Sequence, residues 1–489
     1  MTTQTVTPAS TPKPLSNPFL GVATTIGVGG VLLRGVVSWV MLLVNRELPV
    51  GVIIGVSLVV YAGLAFLFLR NVASRQGLVG AASGLIGGLV SVIFIGSLIT
   101  EQVNVLESVQ SQSEMDIGGM HFEKSVMTGT VVAQPSGFTG GGIALGVGVI
   151  AGMILIGWLA GKVRERNVSY AVKEVDWRAR FAWVTALSYL PLIAVGGLVT
   201  STESGLAVPD SVTTYGSISI LFPLSLMDET RIYLEHSHRI FGTFAGLATI
   251  ILAVRMFGAP SRLLPRLMSV ILLLGVIAQG VMGALRVSEQ SQVMAALHGV
   301  LAQLVFALAI ATGVACSKRW ERITPSDEGI GYAKSTRLML MIATAALGIQ
   351  LVFGAMTRHL DSGHALMSHI GFSFFVVILV IIAGAKCIRL GKIDREVMGG
   401  AGAIRPYGAL VHALVMLQFT LGWGALAMTR SGDEGHPELP TSTELADAHG
   451  IRVGEAIMAT SHHLTGALLL ATVVGGLFWA LRIASRPKS

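Results

Sequence analysis

The sequence predicts an all-α polytopic membrane protein, and three observations carry that prediction. Of the 489 residues, 52% are hydrophobic and 12% are charged, about half the charged fraction of an ordinary soluble domain. The mean hydropathy is +0.71. The apolar residues fall in many stretches long enough to cross about 30 Å of hydrocarbon. This pattern excludes a soluble enzyme, a disordered protein and a disulfide scaffold. Cys316 and Cys387 are the only two cysteines, too few for a disulfide framework. The 59 glycines suit close helix packing in lipid.

About twelve spans are expected, near 20–43, 49–69, 78–100, 142–161, 181–200, 237–257, 267–285, 295–316, 337–356, 367–388, 406–428 and 460–481. Each is expected to be helical, because lipid offers no partner to an unpaired backbone group. Lysine and arginine gather in alternate loops: Arg70 and Arg75, Lys162 to Arg180, Arg255 to Arg266, Lys318 to Lys334, Lys386 to Arg395, and the C-terminal Arg482 to Lys488. The intervening loops are acidic or mixed: Glu101 to Glu123, Glu203 to Glu229, and Asp433 to Glu455. By the positive-inside rule both termini are expected in the cytoplasm, with the chain in a bacterial plasma membrane. The net charge of +7 is then a matter of topology and calls for no nucleic-acid partner. Both cysteines fall at cytoplasmic helix ends and read as reduced packing residues. The first 18 residues, rich in Thr, Ser and Pro, read as a short flexible tail.

Three of the later helices end alike. The runs are Gln279–Gly283–Ala284–Leu285–Arg286, Gln350–Gly354–Ala355–Met356 followed by Arg358, and Gln418–Gly422–Gly424–Ala425–Leu426 followed by Arg430. The fifth span closes on Gly196–Gly197–Leu198 without the arginine. This reads as a duplicated four-helix unit, 181–316 and 337–482, forming two pseudo-repeated bundles within an eight-helix domain at 166–489. The first four spans lack the pattern. Residues 1–165 are expected to form a separate N-terminal module of unknown role, with few polar residues in lipid, joined through the basic segment 162–180.

Each helix that follows one of these runs opens with a histidine. His238, His298, His369 and His463 each begin an alternate helix, which places four imidazoles at one depth, just below the outer surface. A single histidine near a helix end is often only interfacial; four in register point to a cofactor. Heme iron takes one or two axial histidines, and a bundle core with ligands on facing helices holds cofactors. His238 is expected to pair with His298, and His369 with His463. His462 competes with His463, since neighbours on a helix point about 100° apart; the match of Ala467 and Leu469 to Ala302 and Leu304 favours His463. His121, His436 and His449 lie in outer loops, His412 sits at the wrong depth, and His359 and His364 flank spans nine and ten as solvated residues.

Glu235 lies three residues before His238, on the same face if the helix extends back that far. A carboxylate there can accept a proton or stabilise a cation, or simply favour a helix N-terminus. Arg239, Arg286 and Arg358 are candidate partners for heme propionates, while Arg430 reads more as an interfacial anchor.

These residues resemble a known family. Gly196–Gly197–Leu198–Val199–Thr200 followed by Ser204–Gly205–Leu206–Ala207–Val208–Pro209–Asp210 is similar to the first outer loop of heme A synthases. So are Glu235–x–x–His238–Arg239, and Gly283–Ala284–Leu285–Arg286–Val287 before His298. The resemblance covers about residues 180–485. It implies oxidation of the C8 methyl of heme O, by successive hydroxylation, to the formyl group of heme A used by cytochrome oxidase. It also implies that His238 and His298 flank heme O, and that His369 and His463 ligate heme b, which relays electrons to an acceptor the sequence does not name. Glu235 matches the family's outer glutamate, expected to assist proton removal or stabilise the intermediate. Heme O synthase and cytochrome oxidase assembly proteins are the implied partners. The chain departs from the pattern in lacking cysteines in the outer loops, in a last outer loop of about 30 residues, and in the N-terminal module.

Two other readings compete. A di-heme b-type cytochrome that only transfers electrons would typically stack its hemes, with two histidines per ligand helix at different depths, and gives Glu235 no task. A twelve-span transporter would gather polar residues near the midplane, whereas here they gather at the outer surface.

Overall fold

The structure, a computed structural model, describes residues 18–72, 75–100, 139–165, 175–258, 263–323, 325–360, 362–393, 403–430 and 450–485. The N-terminal tail, His121, His436, His449 and most of the basic joint lie outside these residues. Among the described residues, fourteen α-helices follow in order: α1 (Pro18–Val44), α2 (Val50–Leu69), α3 (Gln76–Val90), α4 (Val92–Ile99), α5 (Gly140–Glu165), α6 (Trp177–Ser201), α7 (Thr230–Phe257), α8 (Leu263–Ser288), α9 (Gln292–Ala315), the short α10 (Lys318–Arg322), α11 (Asp327–His359), α12 (Gly363–Ile393), α13 (Arg405–Arg430) and α14 (Val453–Ala484). Among the described residues, eleven helices are long and apolar enough to cross a membrane, and the bent pair α3–α4 makes a twelfth span. The protein is an all-α polytopic membrane protein.

The helices outrun the apolar stretches that predict them, because polar caps extend them. Ser326 accepts from the Gly329 N–H at 2.9 Å, and Asp327 and Glu328 fill the first turn of α11, where negative charge complements the helix dipole. Glu229 caps α7, so that helix starts at Thr230 and Glu235 lies within it, one turn before His238. The third span breaks by 54° at Ser91. Its Oγ donates to the Gly88 carbonyl at 2.6 Å beside Gly87 and Gly88, the pairing of serine back-bonding and glycine that bends helices.

Two closed rings of four helices form the larger part of the molecule. In one, α6, α7, α8 and α9 pack in cyclic order; in the other, α11, α12, α13 and α14 do the same. The rings meet through α6, α9, α11 and α14. Apolar residues that turn away from the rings are exposed, as with Leu267, Ile271, Leu274 and Val281 along α8; their spacing marks one face turned to lipid. Cys316 and Cys387 are buried and form no disulfide with each other.

The N-terminal helices pack by glycine. A Cβ at Gly80 of α3 would overlap the Gly157 carbonyl of α5, and one at Gly84 would overlap the Met153 carbonyl. Only hydrogen at these positions lets the backbones approach so closely. Arg34, absent from the sequence reading of this module, is 1% exposed and reaches Met153 Sδ at 3.6 Å.

The 202–229 loop folds over one end of the first ring. Thr214 and Ser217 exchange backbone hydrogen bonds at 2.9 and 3.0 Å around Tyr215 and Gly216, whose φ values are 47° and 76°. This tight turn needs positive φ at both central residues. Tyr215 holds that conformation by stacking on Phe222 at 5.6 Å and donating to the Ala207 carbonyl at 2.9 Å.

Gly80→Val should lower the thermal midpoint of the detergent-solubilised protein, by overpacking worth about 1–3 kcal/mol. Gly148→Ala, with nothing within 4 Å, should leave it unchanged or slightly raised; equal midpoints for both variants would contradict the packing argument. Burial, with Glu235 and Asp210 nearby, pushes the Tyr215 phenol from 10.0 up to about 12. A raised folded value means its contribution is intact below pH 10 and lost as pH climbs toward 12. The tyrosinate absorbance difference between the parent and Tyr215→Phe should therefore titrate near the upper value; a difference centred on the ordinary value would refute it.

Candidate functional site

Four imidazoles enter the two rings, and each stands on a glycine of the preceding helix. A Cβ at Gly196 would lie 3.0 Å from His238 Cε1; at Gly283, 3.3 Å from His298 Cε1; at Gly354, 3.0 Å from His369 Cε1; and at Gly422, 3.0 Å from His462 Cε1. The glycine clears a slot for the ring, which is what the recurring Gln-to-Gly run encodes. The glutamine one turn earlier also works on the histidine. Gln279 donates to the His298 carbonyl at 3.0 Å and Gln350 to the His369 carbonyl at 2.8 Å.

The rings then face each other in pairs. His238 and His298 have centroids 6.3 Å apart at 73°; His369 and His462 have centroids 6.3 Å apart at 82°. The expected partner of His369 is thus corrected: His462 faces it, and His463 does not. The next residue turns by about 100°, so His463 leaves the pair and sits beside α6, where a Cβ at Gly197 would lie 3.5 Å from its ring. Glycines available on two neighbouring helices accept both histidines, and Gly422 decides which one meets His369.

The donor set fits heme. With metal–nitrogen bonds of about 2 Å, one ion between two imidazoles needs ring centres about 6 Å apart. Two imidazoles fall short of the three or four protein donors of a zinc site, and among the described residues no group of three or more His, Cys, Asp or Glu could hold an ion. Two imidazoles are the number that could serve as the axial ligands of a heme iron. His369 Nδ1 lies 3.1 Å from the Gln350 carbonyl, which can only accept, so Nδ1 carries the proton and Nε2 the lone pair. One cavity of about 1580 Å³ is lined by both pairs, Glu235, Arg286 and Arg358, well above the size of a single small-ligand pocket, about 300–1,000 Å³.

Glu235 is 4% exposed and both its oxygens are held. Oε1 pairs with Arg239 at 2.8 Å, and Oε2 accepts from the Val208 N–H at 2.8 Å. Arg239 also donates to the carbonyls of Asp210, at 2.6 Å, and Thr213. The Asp210 carboxylate in turn accepts from Thr213 Oγ1 at 2.7 Å and from the Gly216 N–H at 2.5 Å. The loop motif and the Glu–x–x–His–Arg motif are therefore one folded unit. Arg239, expected among the propionate partners, clamps this loop to Glu235 and also lines the cavity. Arg286 packs on Gly205, where a Cβ would overlap its guanidinium. Arg358 donates to the Thr200 carbonyl, and both arginines line the cavity.

The other histidines divide. His364 is exposed. His412 bonds the Ile381 carbonyl at 2.9 Å, a packing role far from the pairs in sequence and depth. His359 corrects the expectation of a solvated residue: it is half-buried on the cavity wall, as is His463. Helical spacing alone could not find it, because it lies in the last turn of α11 and reaches the cavity only through the packing of the two rings. Arg231 was also missed; it is buried and donates to the Thr202 carbonyl at 3.1 Å, tying the start of α7 to the end of α6.

A search of curated proteins finds no match to this chain. The family model of COX15-CtaA, cytochrome oxidase assembly protein, matches residues 179–367. The match begins at α6, ends early in α12 and leaves the N-terminal helices unmatched. The matched stretch carries Glu235, His238, His298 and the loop folded over them, and over that length the chain is similar to the cytochrome oxidase assembly proteins of this family.

Proposed function

We propose that this protein oxidises the C8 methyl of heme O to the formyl group of heme A, with heme O between His238 and His298 and a resident heme b between His369 and His462. The observation that carries the reading is an asymmetry. Both histidine pairs have the same 6.3 Å separation, yet a buried carboxylate stands one turn before only one ligand. Glu235 precedes His238, while Ala295, Leu366 and Ala459 take the corresponding place before His298, His369 and His462. Two equal sites that only passed electrons would not need that difference; a site that does chemistry on a bound porphyrin does.

Glu235 is built as a base. Arg239 and the Val208 N–H fix both carboxylate oxygens, so the group is oriented toward the cavity without reorganisation when positive charge develops at the methyl carbon. It can take a proton there or stabilise the cation. His238 and His298 hold the substrate by its iron, and Arg286 and Arg358 are placed on the cavity wall to pair propionates. When bound, heme b supplies a one-electron reservoir beside the substrate site. The loop charges support an orientation with both termini in the cytoplasm and both sites toward the outer face, and a bacterial plasma membrane is the setting this reading implies. Heme O synthase and cytochrome oxidase assembly proteins are the partners this reaction calls for.

The test is heme extraction and chromatography from protein expressed beside a heme O synthase. Heme A or its hydroxymethyl precursor, together with heme b, is expected; heme b without any oxidised heme O, in a strain with a working respiratory chain, would favour an electron carrier instead. Glu235→Ala should keep both hemes and lose turnover by about 10²–10⁴-fold; normal heme A output would sink its role. His462→Ala should abolish the b-type spectrum of the second pair while His463→Ala preserves it, and the reverse result would restore His463 as ligand.

A further inference from the structure

The face of α7 opposite its catalytic side is covered by the N-terminal helices, which the family match does not include. Arg46, in the turn between α1 and α2, donates to the carbonyls of Met227 and Asp228 at 2.6 and 2.5 Å and to Thr230 Oγ1 at 2.9 Å. Its guanidinium lies 4.9 Å over the Tyr233 ring, and the Tyr233 hydroxyl donates to the Trp39 carbonyl at 3.2 Å. One turn on, Ser97 of α4 meets His236 Nε2 at 3.2 Å. Further along, Trp39 and Phe94 pack on Phe241 at 5.9 and 5.3 Å. The loop is gripped as well. A Cβ at Gly96 would overlap the Ile220 carbonyl, and Leu42 and Ile53 share an apolar cluster with Phe222, Met227 and Tyr233.

These contacts alternate with the cavity residues along one helix. Tyr233, His236 and Phe241 face the N-terminal module, while Glu235, His238 and Arg239 line the cavity. A rotation of α7 by one residue would move each set by about 100°, so contacts on the first face fix where the second face points. The bend at Ser91 makes this possible, since it turns α4 away from α3 and brings Ser97 to His236.

We propose that the N-terminal module is the positioning frame of the Glu235–His238 site, with Arg46 and Ser97 as positioning residues that set the start and rotation of α7 and hold the 202–229 loop. The part that concerns bound heme rests on the function proposed above; the frame itself does not. It also gives the module a task that needs no second partner. Arg46 holds the loop side of that junction, donating to the Met227 and Asp228 carbonyls and to the Thr230 hydroxyl where the loop becomes helix.

The experiment compares Arg46→Ala, Arg46→Lys, Ser97→Ala and Ser97→Thr in the full-length protein in nanodiscs. The first readout is hydrogen exchange without heme. Peptides from 202–240 should exchange at least tenfold faster in Arg46→Ala, with α12 to α14 unchanged and Arg46→Lys intermediate. The second is electron paramagnetic resonance after ferric heme is added. The low-spin signal that His238→Ala removes should shift in Ser97→Ala and return in Ser97→Thr, while the signal that His369→Ala removes stays fixed. Unchanged exchange in 202–240 would overturn the frame, and so would equal changes in both rings, which would mean global loosening. Faster exchange confined to 202–240 in a chain that binds no heme would support the frame and defeat the heme reading instead.

Discussion

An imidazole can enter a packed helical bundle only where the neighbouring helix has no side chain. In lipid there is no water to drive helices together, so close approach depends on small residues and on the fit of one surface into another. Each of the four facing histidines meets that condition with a glycine whose Cβ, were it present, would stand 3.0–3.3 Å from the ring. The slot sets the distance between helices and also the direction in which the imidazole points. The equal 6.3 Å separations in the two rings follow from repeating that one device. The rest of each helix is then free to satisfy its backbone internally and to present apolar side chains to lipid.

The repetition makes the differences between the halves informative. In the second ring, Gln418 Nε2 stands 3.3 Å from His462 Nε2 itself, whereas Gln279 and Gln350 reach the backbone carbonyls of their histidines. In the first ring, the slot on α6 is preceded by Leu192 and no glutamine stands one turn before Gly196. That helix instead leads into a loop that closes on Glu235 through Val208, Asp210 and Thr213. A carboxylate buried in a low-dielectric setting is costly unless its oxygens are bonded; the Val208 N–H of the loop bonds one, and Arg239, itself held by the loop, bonds the other. The loop and the acid are joined directly through the Val208 N–H and indirectly through Arg239.

Much of this was legible in the sequence. Span number, ring membership and the Gln-to-Gly register follow from periods of four residues and from alternating loop charge, because those patterns are local. The choice between His462 and His463 was not, since a helix offers both rings in directions about 100° apart and the decision lies with Gly422 and Gly197 on two other helices. His359 escaped for a related reason: its place on the cavity wall depends on how one ring packs against the other. Arg46 lies in a turn with no periodicity, and only the three-dimensional contact with Met227, Asp228 and Thr230 gives it meaning. The bend at Ser91 was hidden inside a continuous apolar stretch, where hydropathy carries no information about direction.

The family match stops at residue 367, two residues before His369, yet the geometry of the first ring recurs through α14. This is what the physics of the site leads one to expect. A ring pair needs only a glycine and a histidine at fixed offsets on neighbouring helices, braced by a glutamine in three of the four cases. The many positions facing lipid need only be apolar, and Leu, Ile, Val and Phe serve there alike. Most of a span can therefore change while the slot persists, so similarity of sequence fades sooner than the arrangement it encodes. The first ring carries further demands in its loop: Gly205 leaves room for Arg286, the 208 position offers an N–H to Glu235, and Asp210 accepts from both Thr213 and Gly216. Constraint is densest where the carboxylate is, which is also where the N-terminal helices press on α7.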